Sequence, residues 1–428
     1  MMWTHGGGQK AKGEATAITL ADTYSIDAFA RQRTSEPFTL FDSKQIWDDP
    51  DLAANVENFP LFWDNQQTSG AGTATNFNVN RASTILSVSA NTAGMRARQT
   101  KQRFNYQPGK SQLIILTGRF GTTPSGVTKR YGYFDANNGL FYQDAGGTWS
   151  VVVRSFVSGV AIDTVITQAN WNLDKLDGTG ASGVTLDKDT VQVLLFDFEW
   201  LGTGRVRFGF FIDGIPIYCH EVLNANNLST VYMSTPNLPI RAEISNDGTG
   251  AASDFETICT TVISEGGSQP NGMFRSGNLG AAAASEIQAD TIGTIYAVCG
   301  IRLKSAYLSA EVREVGLSIV ETTAPGTYFL WQLHFNPTLT VGLTYTDVPR
   351  SAVQFGVGAA AGDVITVSGF VLRSGYVSAN TQELLVALDS ALRLGALIDG
   401  TRDELVLSVI PITANLDILG SLTWKEAW

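Results

Sequence analysis

At 428 residues the chain exceeds the size at which one hydrophobic core usually keeps growing, so two domains are expected. Hydrophobic residues make up 44% and charged residues 16%, and 43 Gly with 13 Pro suit many short strands joined by tight turns. A net charge of −11 excludes nucleic acid as the expected partner, because phosphate neutralisation needs clustered Lys and Arg, and no apolar run of about eighteen residues calls for a membrane.

Residues 1–56 carry no sustained period of 2 or 3.6 but hold scattered anchors, among them Phe38, Phe41 and Trp47. That profile predicts an extended N-terminal arm that packs on a partner through those three residues. From 57 to 266 strand candidates arrive at short intervals, including "SQLIILTG" (111–118), "RYGYF" (130–134) and "VQVLLFDFEW" (191–200). In "RYGYF", Tyr131 and Tyr133 share one face and Gly132 and Phe134 the other, which favours a rigid sheet over a recognition surface. Any recognition is then expected in loops such as "ANNG" (136–139) or "NANNLST" (224–230).

In "RVRFGFFIDGIPIYCHEV" (205–222), Val206, Phe208 and Phe210 alternate with Arg205, Arg207 and Gly209. Asp213-Gly214 then supplies the positive φ angles of a two-residue turn, so a hairpin is expected. "PIRAEIS" (239–245) places Ile240, Ala242 and Ile244 inward and Arg241 and Glu243 outward. Residues 267–293 are small, polar and nearly free of aromatics, which reads as a linker or long loop. The strand pattern restarts over 294–428, a second, smaller β-rich domain, with one helix expected over 380–394, capped by Asn380 and apolar at Leu384, Leu388, Ala391 and Leu392. Trp424 and Trp428 stand four apart at the end and are assigned to a contact between copies, a homo-oligomer with a trimer as the leading guess. Cys219, Cys259 and Cys299 form no C-x-x-C pair and read as small buried side chains.

Four stretches together resemble virion structural proteins of tailed bacteriophages and other environmental viruses: "DAFARQRTSEPFTLFDSK" (27–44), "FNYQPGKSQLI" (104–114), "WNLDKLDGTG" with "VLLFDFEWLGTGRVRFGFFIDG", and "LGSLTWKE" (419–426). The resemblance runs nearly end to end. It implies an all-β chain, a concanavalin-like, laminin-G-type jelly-roll sandwich followed by the smaller β-rich domain. It also implies a location in the virion with other virion proteins as partners, whether on head, fibre or baseplate.

Candidate chemistry is sparse. Asp197 and Glu199 lie two apart on one strand face, the spacing of strand carboxylates in some glycosidases on such sandwiches, but Leu201 and Gly202 stand where a third acid would follow. A cross-strand pairing with Arg205 and Arg207 is the simpler expectation. Asp174, Asp177, Asp187 and Asp189 on a glycine-rich loop offer hard oxygens for calcium, while solvated turns are the simpler reading and need no cofactor. No catalytic set is assigned. The expectation is therefore a chain that is not an enzyme, a virion structural protein; the alternatives are a carbohydrate-binding adhesin for host surface glycans and a polysaccharide depolymerase using Asp197 and Glu199.

Overall fold

The structure is a computed structural model that describes residues 36–46, 62–267, 272–280, 285–322, 327–378, 384–387, 392–413 and 415–427. Fifteen strands build the first unit: β1 (Phe38–Lys44), β2 (Trp63–Gly70), β3 (Thr73–Asn78), β4 (Ser83–Val88), β5 (Gly94–Thr100), β6 (Gln112–Arg119), β7 (Val127–Phe134), β8 (Gly139–Ala145), β9 (Thr148–Ser155), β10 (Ile162–Thr167), β11 (Gln192–Phe198), β12 (Val206–Ile212), β13 (Ile215–Val222), β14 (Ile240–Asn246) and β15 (Ser253–Ser264). They form two antiparallel sheets. One is eight-stranded, in the order β13-β12-β11-β6-β15-β4-β3 with β1 added along β15; the other is seven-stranded, β10-β9-β8-β7-β14-β5-β2.

Alternation fixes which face of each sheet is dry. Leu194, Phe196, Phe208 and Phe210 of the first sheet meet Tyr131, Tyr142, Trp149 and Val151 of the second in one core. The Tyr142 ring lies 5.0 Å from Phe196, and its hydroxyl crosses the core to donate to the Gly209 carbonyl at 2.6 Å. A buried phenol thus finds a partner in the opposite sheet. The fold is all-β, a jelly-roll sandwich followed by a β-rich unit, as the sequence led us to expect. The 205–222 hairpin is present as β12 and β13, with φ of 51° at Asp213 and 77° at Gly214.

The second unit comprises β16 (Met273–Asn278), β17 (Ile287–Ala289), β18 (Tyr296–Leu303), β19 (Glu311–Glu321), β20 (Tyr328–Phe335), β21 (Thr338–Leu339), β22 (Thr344–Asp347), β23 (Val353–Val357), β24 (Asp363–Val367), β25 (Phe370–Ser378), β26 (Leu384–Ala387), β27 (Glu404–Pro411) and β28 (Leu416–Ala427). A five-stranded sheet centred on β28 and β19 packs against an eight-stranded sheet holding β18, β27 and β20. Their facing side chains, including Leu422, Trp424, Val298 and Leu407, make a second core. The two units also touch. The Ile398 amide donates to Asp64 Oδ2 at 2.7 Å, and Lys101 lies 4.0 Å from Asp403.

Several expectations need correction. Phe41, assigned to a partner, packs in the sandwich core against Phe62, Trp63 and Phe104, because β1 is a strand of the sheet. Phe38 on the same strand is 50% exposed, whereas Trp47, Trp428 and residues 1–35 lie outside the described residues. Trp424, assigned to a contact between copies, is fully buried in its own domain. The stretch read as a linker supplies β16 and β17, both paired to β28. Where a helix was expected, Leu384–Ala387 is a strand along β19, so cross-strand pairing overrides the local helical pattern; Asn380, Leu388 and Ala391 lie outside the described residues. Cys219 and Cys299 are buried as expected, but Cys259 is exposed.

Candidate functional site

The outer face of the seven-stranded sheet gathers polar groups from distant parts of the chain. Register places Gln66, Ala97, Glu243, Arg130, Gln143 and Ser150 side by side across it. Arg130 donates to Gln143 Oε1 at 2.8 Å and to Glu243 Oε2 at 3.2 Å; Arg241 donates to Glu243 Oε1 at 2.6 Å and to Gln99 Oε1 at 2.7 Å. Burial alone would push the Glu243 carboxyl up, but Arg241 and Arg130 together hold it below the usual carboxylate value. The result is a fixed plane of hydrogen-bonding groups in which Gln99 and Gln143 engage through their carbonyl ends, leaving their amide N–H groups as donors.

One side of this plane is closed by an aromatic patch. Phe134, Phe141 and Val152 cluster on the same outer face, and Arg154 lies over them, 5.0 Å from the Phe141 ring, tied by two hydrogen bonds to Asp163. These aromatics are covered rather than presented.

The other side opens. Two residues further along the strands, about 7 Å at normal strand rise, the next outward row is Ser69, Met95, Ser245, Thr128 and Ala145. Apart from Met95 the side chains are small and leave the backbone low here, and the row floors a trough of about 610 Å³ with Asp247 at its rim. Gly94 in that floor is demanded by packing, because a Cβ would meet the Ala71 carbonyl oxygen at 2.1 Å.

The residues singled out from sequence sit elsewhere. Asp197 lies on the other sheet, fully buried, paired with Arg207 as expected and accepting from the Tyr218 hydroxyl at 2.7 Å. Glu199 falls just past the end of β11, its amide donating to the Arg205 carbonyl. Burial outweighs the Arg207 charge and pushes the Asp197 carboxyl up to about 6. An acid whose folded pKa is raised contributes stability that is full below its unfolded value and lost as pH rises through the folded one. Asp197→Asn is therefore expected to remove a loss of about 3 kcal/mol between pH 3.8 and 6, read as the difference between wild-type and variant urea midpoints at the two ends of that range. Identical pH profiles would refute this.

The four candidate calcium ligands are engaged separately, three within their own loop and Asp189 with a neighbouring one. Asp174 accepts from the Leu176 and Ser182 amides, Asp177 from Thr179, Asp187 from the Asp189 amide and Asp189 from the Thr122 hydroxyl. Among the described residues no three carboxylate, His or Cys side chains come together as a metal cage. In the loop 136–139, Asp135 caps the Asn137 and Asn138 amides, Asn138 is buried against Ser234, and Ala136 and Asn137 stay exposed. Alternation did place Arg241 and Glu243 outward; their assembly with Arg130 and Gln143 depends on long-range register that local pattern does not encode.

No family model matches the chain, and no curated protein matches it. Solved structures do. They include the β-glucanase of Bacillus licheniformis, 10% identical with a TM-score of 0.34 over 54% of this chain and 99% of that one. Rv0315 of Mycobacterium tuberculosis, described as an immunostimulatory antigen and pseudo β-1,3-glucanase, is 12% identical with a TM-score of 0.36, over 53% and 98%. The carbohydrate recognition domain of Emp47p is 9% identical with a TM-score of 0.33, over 55% and 99%. The expectation of a chain that is not an enzyme is corrected by these matches, since glucanases stand among them, while likeness at this level assigns no reaction to the chain.

Proposed function

We propose that the chain binds a glycan along the outer face of the seven-stranded sheet. The observation that supports this reading is the trough of about 610 Å³ beside the Arg241–Glu243–Arg130–Gln143 array. Its size is that of an ordinary ligand cleft. Its floor offers Ser69, Ser245 and Thr128 hydroxyls, and its rim offers the Asp247 carboxylate, a donor and acceptor mixture that matches vicinal sugar hydroxyls. Because the floor side chains are short and the array beside them is hydrogen-bonded within itself, little side-chain entropy is lost when a ligand docks. The sequence resemblance to virion proteins adds a setting: a sandwich displayed on a particle, where retention of a host surface glycan serves attachment.

Filling the trough tests the reading. Ser245→Trp, at a half-buried position on the floor, is expected to abolish retardation of the protein in gels containing neutral polysaccharides while leaving the melting temperature within about 2 °C, as for surface changes of under about 0.5 kcal/mol. Unchanged retardation in the variant, or a wild type that no polysaccharide retards, contradicts it.

A further inference from the structure

A second cavity, of about 260 Å³, lies on the other sheet, between β4, the β6 end and β15, and is lined by Arg81, Arg119, Thr122, Ser253, Asp254 and Glu256 among others. We propose that it binds a sugar acid, a hexuronate or a sialic acid, with the ligand carboxylate on the two arginines. This site is separate from the trough and does not depend on it.

The arginines are incompletely occupied by protein. Both reach the same oxygen, Glu256 Oε2, Arg81 at 3.4 Å and Arg119 at 3.5 Å. Charge-assisted bonds settle at about 2.7–2.9 Å, so neither contact is a tight one. The other Glu256 oxygen is taken by the Ser83 hydroxyl at 2.6 Å. Arg119 also donates through Nε to the Asp189 carbonyl at 2.9 Å, which fixes its plane. Arg81 is 58% exposed and Arg119 38%, so both guanidinium groups face the cavity with donors to spare.

Beneath the loop that forms one wall, the buried Lys129 ammonium donates to the Phe120 and Thr122 carbonyls. Asp144, Asp254 and Asp189 lie near that ammonium and balance it, so the two arginines carry the positive charge that faces the cavity. Asp254, two residues from Glu256 on the same strand, is exposed and lines the cavity, so its carboxylate is positioned to accept from hydroxyl groups. Planar guanidinium groups hold a carboxylate bidentately, and a nearby carboxylate repels a bare anion unless that anion brings its own hydroxyl donors. A sugar acid meets both conditions with hydroxyl groups held several bonds away from its carboxylate, so that one end can reach the arginines and the other Asp254; inorganic phosphate carries donor and acceptor on one centre and cannot span the two.

Calorimetric titration of the full chain decides the matter, with methyl glucuronide, N-acetylneuraminate, methyl glucoside and inorganic phosphate as probes. Binding of either sugar acid, at least tenfold tighter than the glucoside and than phosphate, is expected, and which of the two acids wins identifies the class. Arg81→Gln, at an exposed position that leaves the fold intact, is expected to weaken that binding at least tenfold, and Asp254→Asn several-fold, with melting temperatures unchanged in both. Equal binding of glucuronide and glucoside, phosphate binding as tight as the sugar acids, or an Arg81→Gln variant that binds like wild type overturns the proposal. Loss of binding in Ser245→Trp alone would also overturn it, since it would place the sugar acid in the trough.

Discussion

Truncation after Ser421 is expected to unfold the second domain rather than to separate copies of an intact one. The residues removed are half of β28, which pairs with β16 on one side and with β19 along its whole length on the other. Leu422 and Trp424 leave the core with it, and so does Glu426, a buried carboxylate that accepts from the Ser351 hydroxyl at 2.7 Å and the Ala352 amide at 3.0 Å. Trp424→Ala alone is expected to cost about 3–5 kcal/mol, a large share of the roughly 5–15 kcal/mol that holds a domain folded. Two-transition urea unfolding reports this directly. The transition of the second domain should vanish in the truncated chain and shift to lower urea in Trp424→Ala, while that of the sandwich persists; a truncated chain with both transitions intact would show that β28 is dispensable.

Glu314 gives the largest expected dependence on pH. It points into the second core, 4% exposed, beside Val312, Leu333, Leu372 and Leu394, and its carboxylate is met by no close hydrogen bond, the Gly316 amide being a weak donor nearby. Burial in this apolar setting outweighs the pull of Arg373 and pushes the carboxyl from 4.5 up to about 8. The folded domain therefore binds this proton more tightly than the unfolded chain does. Its stabilising contribution is complete below pH 4.5 and is lost as pH rises to about 8, a fall of roughly 4 kcal/mol across that window. Glu314→Gln, which carries no titrating proton, is expected to lack this fall and to exceed wild type in stability at pH 9. Parallel pH profiles for the two proteins would mean that the carboxylate finds solvent or a cation when it ionises.

The two outcomes trace to what local pattern can and cannot specify. Alternation and the Asp213-Gly214 turn made β12 and β13 legible, because a hairpin is a local structure closed by its own turn. The same alternation runs through β28, buried at every second residue from Leu416 to Glu426, yet its partners β16 and β19 lie about a hundred residues or more earlier. Without them the terminal tryptophan looks wet. Glu314 was hidden for a related reason: the strand slips register between Glu314 and Gly316, and a charged residue at an inward position contradicts the pattern that reading relies on. The polar array of the sandwich joins residues 99, 130, 143, 241 and 243 only through the ordering of β5, β14, β7 and β8. Arg241 and Glu243 were visible in sequence as outward residues; Gln99, Arg130 and Gln143, and their meeting, were not.

Hydrogen exchange of the backbone amides, followed by mass spectrometry with and without a soluble oligosaccharide that retards the protein, tests the glycan-binding face most directly. Slowed exchange is predicted in the segments that carry the trough floor and rim, around Ser69–Gly70, Gly94–Met95, Ala145–Gly146 and Ser245–Asp247, with the second domain unaffected. Protection confined to the second domain, or to the opposite sheet, would contradict the account.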